Sequence, residues 1–175
     1  MNGGPQFTYV SLDEARIVLD QLLGEGKRTT TDRVAVPHAL FITPPLATAG
    51  LTEREARAQG RNIRVSRENV ADIIAMPRAY TVEETRGVMK FIVDADTDLI
   101  LGAALLTIDA QVFINVVTLA MRHGITATEL RDSIYTHTSS TEAFNEVFDN
   151  VVPWGYLAEA RRHRWMSHPS RPAGR

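Results

Sequence analysis

The chain contains no cysteine. That absence excludes a disulfide framework, a thiolate metal site, a cysteine nucleophile and an internal redox-active thiol pair. Phosphate-binding signatures are missing as well. There is no GxGxxG and no Walker A sequence, and Gly3-Gly4 and Gly24-x-Gly26 are too sparse to stand in for them. The five histidines, His38, His123, His137, His163 and His168, form neither HExxH nor a pair four apart, so no metal site is expected. Asp94, Asp96 and Asp98 alternate as calcium ligands do, but the glycine and distal glutamate of an EF-hand loop are absent, and a polar hairpin turn accounts for them. Net charge is only −2, which argues against nucleic acid or an anionic membrane as a general partner. The longest apolar run, around Leu99–Leu106, is far short of a membrane span. Residues Met1 to Gln6 show no basic stretch leading into an apolar one, so no secretory leader is read and a cytoplasmic location is expected.

What is present is an ordinary core-forming composition: 175 residues, 44% hydrophobic. Ser/Thr-x-x-Glu boxes mark helix starts at Ser11/Glu14, Thr52/Glu55, Thr126/Glu129 and Ser139/Glu142. The first helix carries Leu12, Ala15, Leu19 and Leu22 on one face and stops at Gly24. Residues 24–33 are polar and aperiodic, a linker. Val34–Thr43 reads as a strand broken by Pro44-Pro45, and 62–66 and 70–80 hold β-favouring residues. The strongest β signal is a hairpin, Gly87–Asp94 and Leu99–Leu106 around Ala95-Asp96-Thr97-Asp98. Its first arm alternates Met89, Phe91 and Val93 against Val88, Lys90 and Ile92. Its second is apolar throughout, as a strand buried on both faces would be, with Gly102 marking a bulge or a close backbone approach. Asp109 is placed to cap a helix carrying Val112, Phe113, Val116, Val117 and Ala120 up to Gly124, with His123 as a favoured cation at its end. His38, following Pro37 in the expected strand, reads as a satisfied or an edge histidine. The order of helix, linker, antiparallel strands and helices is α+β. Beyond Pro153, residues 159–175 hold five arginines against one glutamate, and a short helix over 156–164 followed by a disordered, solvated tail is expected.

One stretch crowds an imidazole, hydroxyls and a carboxylate together: Ile134-Tyr135-Thr136-His137-Thr138-Ser139-Ser140-Thr141-Glu142. It reads either as a histidine base oriented by Glu142, or as a helix start with Ser139 as cap and Glu142 as its reciprocal arm. Spacing alone favours the helix start. Five residues apart, His137 and Glu142 share no helix face, but they meet if His137 lies in the turn before the cap.

Several motifs in one order resemble the C-terminal interface domain of the pyridine nucleotide–disulfide oxidoreductases, the flavoenzymes that include glutathione reductase, dihydrolipoamide dehydrogenase and mercuric reductase. Phe41-Ile42-Thr43-Pro44-Pro45 with Gly50-Leu51-Thr52-Glu53 resembles the family's F-T-x-P-E/P … V-G-x-T-E. Gly87 to Asp94 with Ile100-Leu101-Gly102-Ala103 resembles G-F-x-K-x-x-x-D … I-L-G-A, and His137 to Glu146 resembles H-P-T-x-S-E-x-x-x-E. The opening, Gly3 to Asp13, is similar to the reactive-chlorine-resistance branch. The resemblance implies an antiparallel sheet with helices packed on one side, preceded by one stranded helix. It divides the chain into 1–33, a remnant of an FAD-domain helix plus linker; 34–150, the interface domain; and a basic extension, 151–175. It implies a homodimer in which His137, oriented by Glu142, serves the partner's disulfide as acid–base catalyst. FAD and NAD(P) belong to the full-length family, and this chain alone has no motif to hold either. Thr138 stands where the family has a proline. Because a cis bond before a non-proline residue costs about 2.5–4 kcal/mol, the His137–Thr138 bond is expected to be trans. The resemblance leads to a fragment of a flavin-dependent oxidoreductase, inactive by itself. Its rivals are a free-standing homodimeric scaffold without redox chemistry and an assembly with the flavin and nucleotide domains on a separate chain.

Overall fold

The computed structural model describes residues 4–153; the helix and tail expected beyond them lie outside the described residues. The chain forms two compact units, Met1–Val34 and Ala35–Arg175.

The first unit is helix α1, Thr8–Leu23, and a segment folded back on it. The helix begins three residues before the expected cap. Phe7 occupies the N-cap position, and its carbonyl accepts the N–H groups of Val10 and Ser11. The Phe7 and Tyr9 rings stack at 5.1 Å. Ser11 is therefore inside the helix, where a capping box has no orphan donors to serve. The helix ends before Gly24 as expected. The polar stretch after it folds back along the helix. Asp13 receives Arg28 at 2.7 Å and Arg33 at 2.8 Å, Asp20 accepts the Arg28 N–H, and Gln21 donates to the carbonyls of Gly26 and Arg28. A 3-10 turn, Thr30–Asp32, follows with its own capping box from Thr29 to Asp32.

The second unit is built on a six-stranded antiparallel sheet. Its strands are β1 (His38–Leu40), β2 (Leu46–Gly50), β3 (Ile63–Asn69), β4 (Val88–Asp94), β5 (Ile100–Leu106) and β6 (Val152–Pro153), in the order β1-β2-β5-β4-β3-β6. The helices are α2 (Glu53–Ala58), α3 (Pro77–Thr81), α4 (Ala110–His123), α5 (Ala127–Asp132) and α6 (Phe144–Val147). The β4–β5 hairpin forms where the alternation places it. Met89, Phe91 and Val93 point to one face with Ala103, Leu105, Ala47 and Ala49. That face receives Phe113, Ile114 and Val117 from α4 and Phe144 and Val147 from α6, making the main core. On the opposite face, Ile63, Val65 and Ile92 pack with Ala56 of α2.

Four local expectations change. The strand expected over 34–43 shrinks to β1, between Pro37 and the cis Thr43–Pro44 bond. Residues 70–80 are not a strand: a 3-10 turn, Val70–Asp72, leads to α3 with Pro77 in its first turn. Val70, Ile73, Met76 and Ala79 are all fully buried, and their spacing of three matches 3-10 and helical turns rather than a pleat. β5 is not buried on both faces, since Leu101, Ala104 and Leu106 remain half-exposed where the pleat turns them away from α4. The side chain of Asp109 does not cap α4; it reaches another segment, described below. Gly102 marks a close backbone approach, because a Cβ there would lie 1.9 Å from the Leu51 carbonyl oxygen.

Candidate functional site

The His137 segment is held at both ends by ordinary local chemistry. Before it, α5 opens with a formed capping box from Thr126 to Glu129 and closes into Ser133. The Tyr135 hydroxyl donates back to the Leu130 carbonyl at 2.6 Å, and the Asn145 amide donates to the carbonyls of Ser133, at 3.0 Å, and Arg131. After it comes a 3-10 turn, Ser140–Ala143, that runs into α6, whose Phe144 and Val147 are buried in the main core.

The Glu142 carboxylate divides its two oxygens. Oε1 lies 2.9 Å from His137 Nδ1, and Oε2 accepts the Ser139 N–H at 2.8 Å. The two readings of this stretch are therefore one structure. Glu142 is the return arm of the capping box and the partner of the imidazole at once. The hydrogen bond with His137, followed by the Ser139 N–H, holds the Glu142 carboxyl below the usual carboxylate range. An ionised Glu142 makes Nδ1 the donor and leaves Nε2 with its lone pair. The His137 side chain is 73% exposed while that of Glu142 is 17% exposed, so the orienting group is sheltered and the imidazole is presented. An imidazole so held has a ring nitrogen, Nε2, free of the carboxylate, the arrangement that general acid–base catalysis uses. The His137–Thr138 peptide bond is cis, contrary to the expectation from Thr138 in place of proline. The same carboxylate grips the chain on both sides of that bond, at the His137 ring and at the Ser139 N–H.

The remaining sequence candidates resolve into structural roles. The Asp94 carboxylate accepts the N–H groups of Asp96 and Thr97 in the hairpin turn, Asp96 binds the Asn62 amide, and Asp98 pairs with Arg64 and accepts the Thr128 N–H. His123 closes α4 before Gly124, and His38 sits on the edge strand β1. A feature that sequence reasoning missed adjoins the His137 turn. The Ser140 hydroxyl donates to Asp109 Oδ2 at 2.7 Å, and Arg78 Nε lies 3.6 Å from the same oxygen. These residues stand 31 positions or more apart, and no local pattern links them.

Comparison with known proteins follows the same outline. The family profile described as "Pyridine nucleotide-disulphide oxidoreductase, dimerisation domain" matches residues 36–148. The probable pyridine nucleotide-disulfide oxidoreductase RclA of Escherichia coli (strain K12) is 50% identical over 151 residues, 86% of this chain and 34% of that protein. The solved structure of the HOCl-induced flavoprotein disulfide reductase RclA from Escherichia coli superposes with a TM-score of 0.79 over 84% of this chain and 33% of its own. The uncharacterized 19.7 kDa protein in the mercuric resistance operon of Staphylococcus aureus is 31% identical over 137 residues, 78% of this chain and 74% of that protein. The chain thus spans about a third of the length of the RclA flavoprotein and about three quarters of the smaller relative.

Proposed function

The chain belongs to the pyridine nucleotide-disulphide oxidoreductase family as its dimerisation domain, and on that footing we propose that it pairs two copies and presents His137 to a redox-active disulfide on the partner. In this reading Nε2 of His137 takes a proton from an attacking thiol and returns one to the leaving thiolate. Glu142 keeps the ring in the tautomer and direction that this needs. The observation that carries the reading is the division of labour at Glu142: a sheltered carboxylate bound to Nδ1 at 2.9 Å behind an exposed imidazole. Residues 34–150 act as the dimerisation domain, and residues 1–33 supply a helix that belongs with a flavin-binding part.

FAD and NAD(P) chemistry would come from elsewhere in the assembly, on the same polypeptide or a second one. The sequence has no dinucleotide fingerprint and no cysteine, so its residues do not fit either cofactor, and the chain alone would not turn over. A second reading, a free-standing homodimeric scaffold, is favoured by the 19.7 kDa relative, of which the chain covers 74%.

Two measurements decide. Sedimentation should give twice the 19.4 kDa chain mass at micromolar concentration, and a monomer there overturns the dimer. Isolation from native cells should yield His137 joined to, or co-purifying with, a flavin-bearing part. In that assembly His137→Ala should slow disulfide-dependent NAD(P)H oxidation about 100-fold or more, as loss of a general acid–base does. Equal rates overturn the acid–base role. A flavin-free dimer from native cells establishes the scaffold instead.

A further inference from the structure

A cleft of about 380 Å³ opens beside the His137 turn, between α3, the start of α4 and residues 138–141. Its apolar lining is the exposed Val112 over the buried Phe113, and Thr138, Ser139, Ser140 and Thr141 line it as well. Arg78 and Asp109 complete the lining. Ser140 is buried and spends its hydroxyl on Asp109, and the Ser139 and Thr141 hydroxyls bond each other at 2.9 Å. Arg78 is different. Its guanidinium faces Asp109 at 3.6 Å, beyond hydrogen-bond length, and among the described residues no hydrogen bond holds it. Its side chain is 42% exposed. The cleft therefore combines an exposed apolar side chain, Val112, with a planar cation that is ion-paired at Nε with Asp109 and whose terminal N–H groups make no hydrogen bond among the described residues. That is the arrangement that takes a carboxylate through paired N–H donors while an apolar body rests below.

We propose that this cleft binds a small carboxylate-bearing molecule with a short apolar body, its carboxylate on Arg78 and its hydrocarbon on Val112. The juxtaposition does not depend on what His137 does. It predicts selectivity of a definite kind. A carboxylate is preferred to its amide of the same shape, and an apolar chain is preferred to a bare anion, because Arg78 reads the charge and the exposed Val112 reads the chain.

The test is a titration of the whole chain, followed by backbone and arginine side-chain NMR, with butyrate, butyramide and inorganic phosphate as probes. Butyrate should give saturable shifts confined to Arg78 and to residues 109–113 and 138–141. Butyramide and phosphate should each bind about tenfold more weakly or worse, as loss of a charge-assisted bond or of the apolar contact requires. Arg78→Gln should weaken butyrate by the same factor. Val112→Glu, at an exposed position, should do so by placing a like charge in the apolar lining, and it covers the case in which Arg78→Gln fails to fold. His137→Ala should leave butyrate affinity within about twofold, so a failed acid–base role appears in turnover and not in this titration. Equal binding of butyrate and butyramide overturns the site, as do phosphate binding as tight as butyrate, shifts scattered over the surface, or affinity unchanged in both cleft variants.

Discussion

Helices α1 and α4 are near equals in length, 16 and 14 residues, and both carry an apolar face readable from spacing, yet they are stabilised by opposite means. α4 buries Phe113, Ile114, Val117 and Ala120 almost completely against the sheet. Each large side chain so buried contributes about 1.5–3 kcal/mol. Arg122 and His123 sit in its last turn, where cations suit the helix dipole. α1 buries only Val10, and its leucines face solvent, with Leu22 at 74% and Leu23 at 83% exposure. A helix of that length is marginal on its own in water. What holds α1 is polar: Asp13 gripping Arg28 and Arg33, and Gln21 gripping two carbonyls of the returning segment. An apolar stripe in a sequence predicts a buried face only where the covering surface is part of the same unit.

The comparison breaks hardest at α4. Phe113→Ala should cost about 3–5 kcal/mol, because the ring packs edge-on against Phe144 at 4.7 Å in a filled core. Denaturant unfolding measures it, and a loss under about 1 kcal/mol would mean that the core collapses around the gap. The corresponding lesion in α1 is electrostatic. Asp13→Asn removes the charge that two arginines share and should free the segment over 24–33, seen as faster amide exchange there, with the second unit's exchange unchanged. Acid should mimic it. The hydrogen bond from Arg33, foremost, holds the Asp13 carboxyl below its ordinary value of 3.8. A depressed folded-state pKa gives a contribution that is whole above the unfolded value and lost as pH falls through the folded one. Protection of 24–33 should therefore persist at pH 6 and fade below about pH 4, and Asp13→Asn should weaken that pH dependence.

How much of this was legible follows the same division between local and distant causes. The β4–β5 hairpin was legible because alternation is a local signature, and so were the boxes at Thr52/Glu55, Thr126/Glu129 and Ser139/Glu142, all of which form. Ser11/Glu14 failed because the helix started earlier, at Thr8, and the Thr29–Asp32 box was missed because aspartate stands where the glutamate is sought. Val70, Ile73, Met76 and Ala79 read as β by residue type and proved helical by spacing. At the candidate site, His137 and Glu142 were legible as a pair, but the sharing of one carboxylate between cap and imidazole was not. The joining of Arg78, Asp109 and Ser140 had no sequence signal, since α3, α4 and the 3-10 turn meet only through tertiary packing.

The smallest expected effect is the most telling for the comparison. Leu22→Gln with Leu23→Gln replaces two large apolar side chains at the end of α1, a change that would be ruinous in α4. Because both are exposed, neither leaves a cavity, and chain stability should move by no more than about 0.5 kcal/mol. Solubility should rise, since an exposed leucine row favours non-specific association. Thermal unfolding and light scattering of the double variant measure the two effects. A loss of several kcal/mol would show that these leucines are covered in solution, by a second copy or another chain. The contrast between the helices would then lie in which molecule supplies the cover rather than in whether there is one.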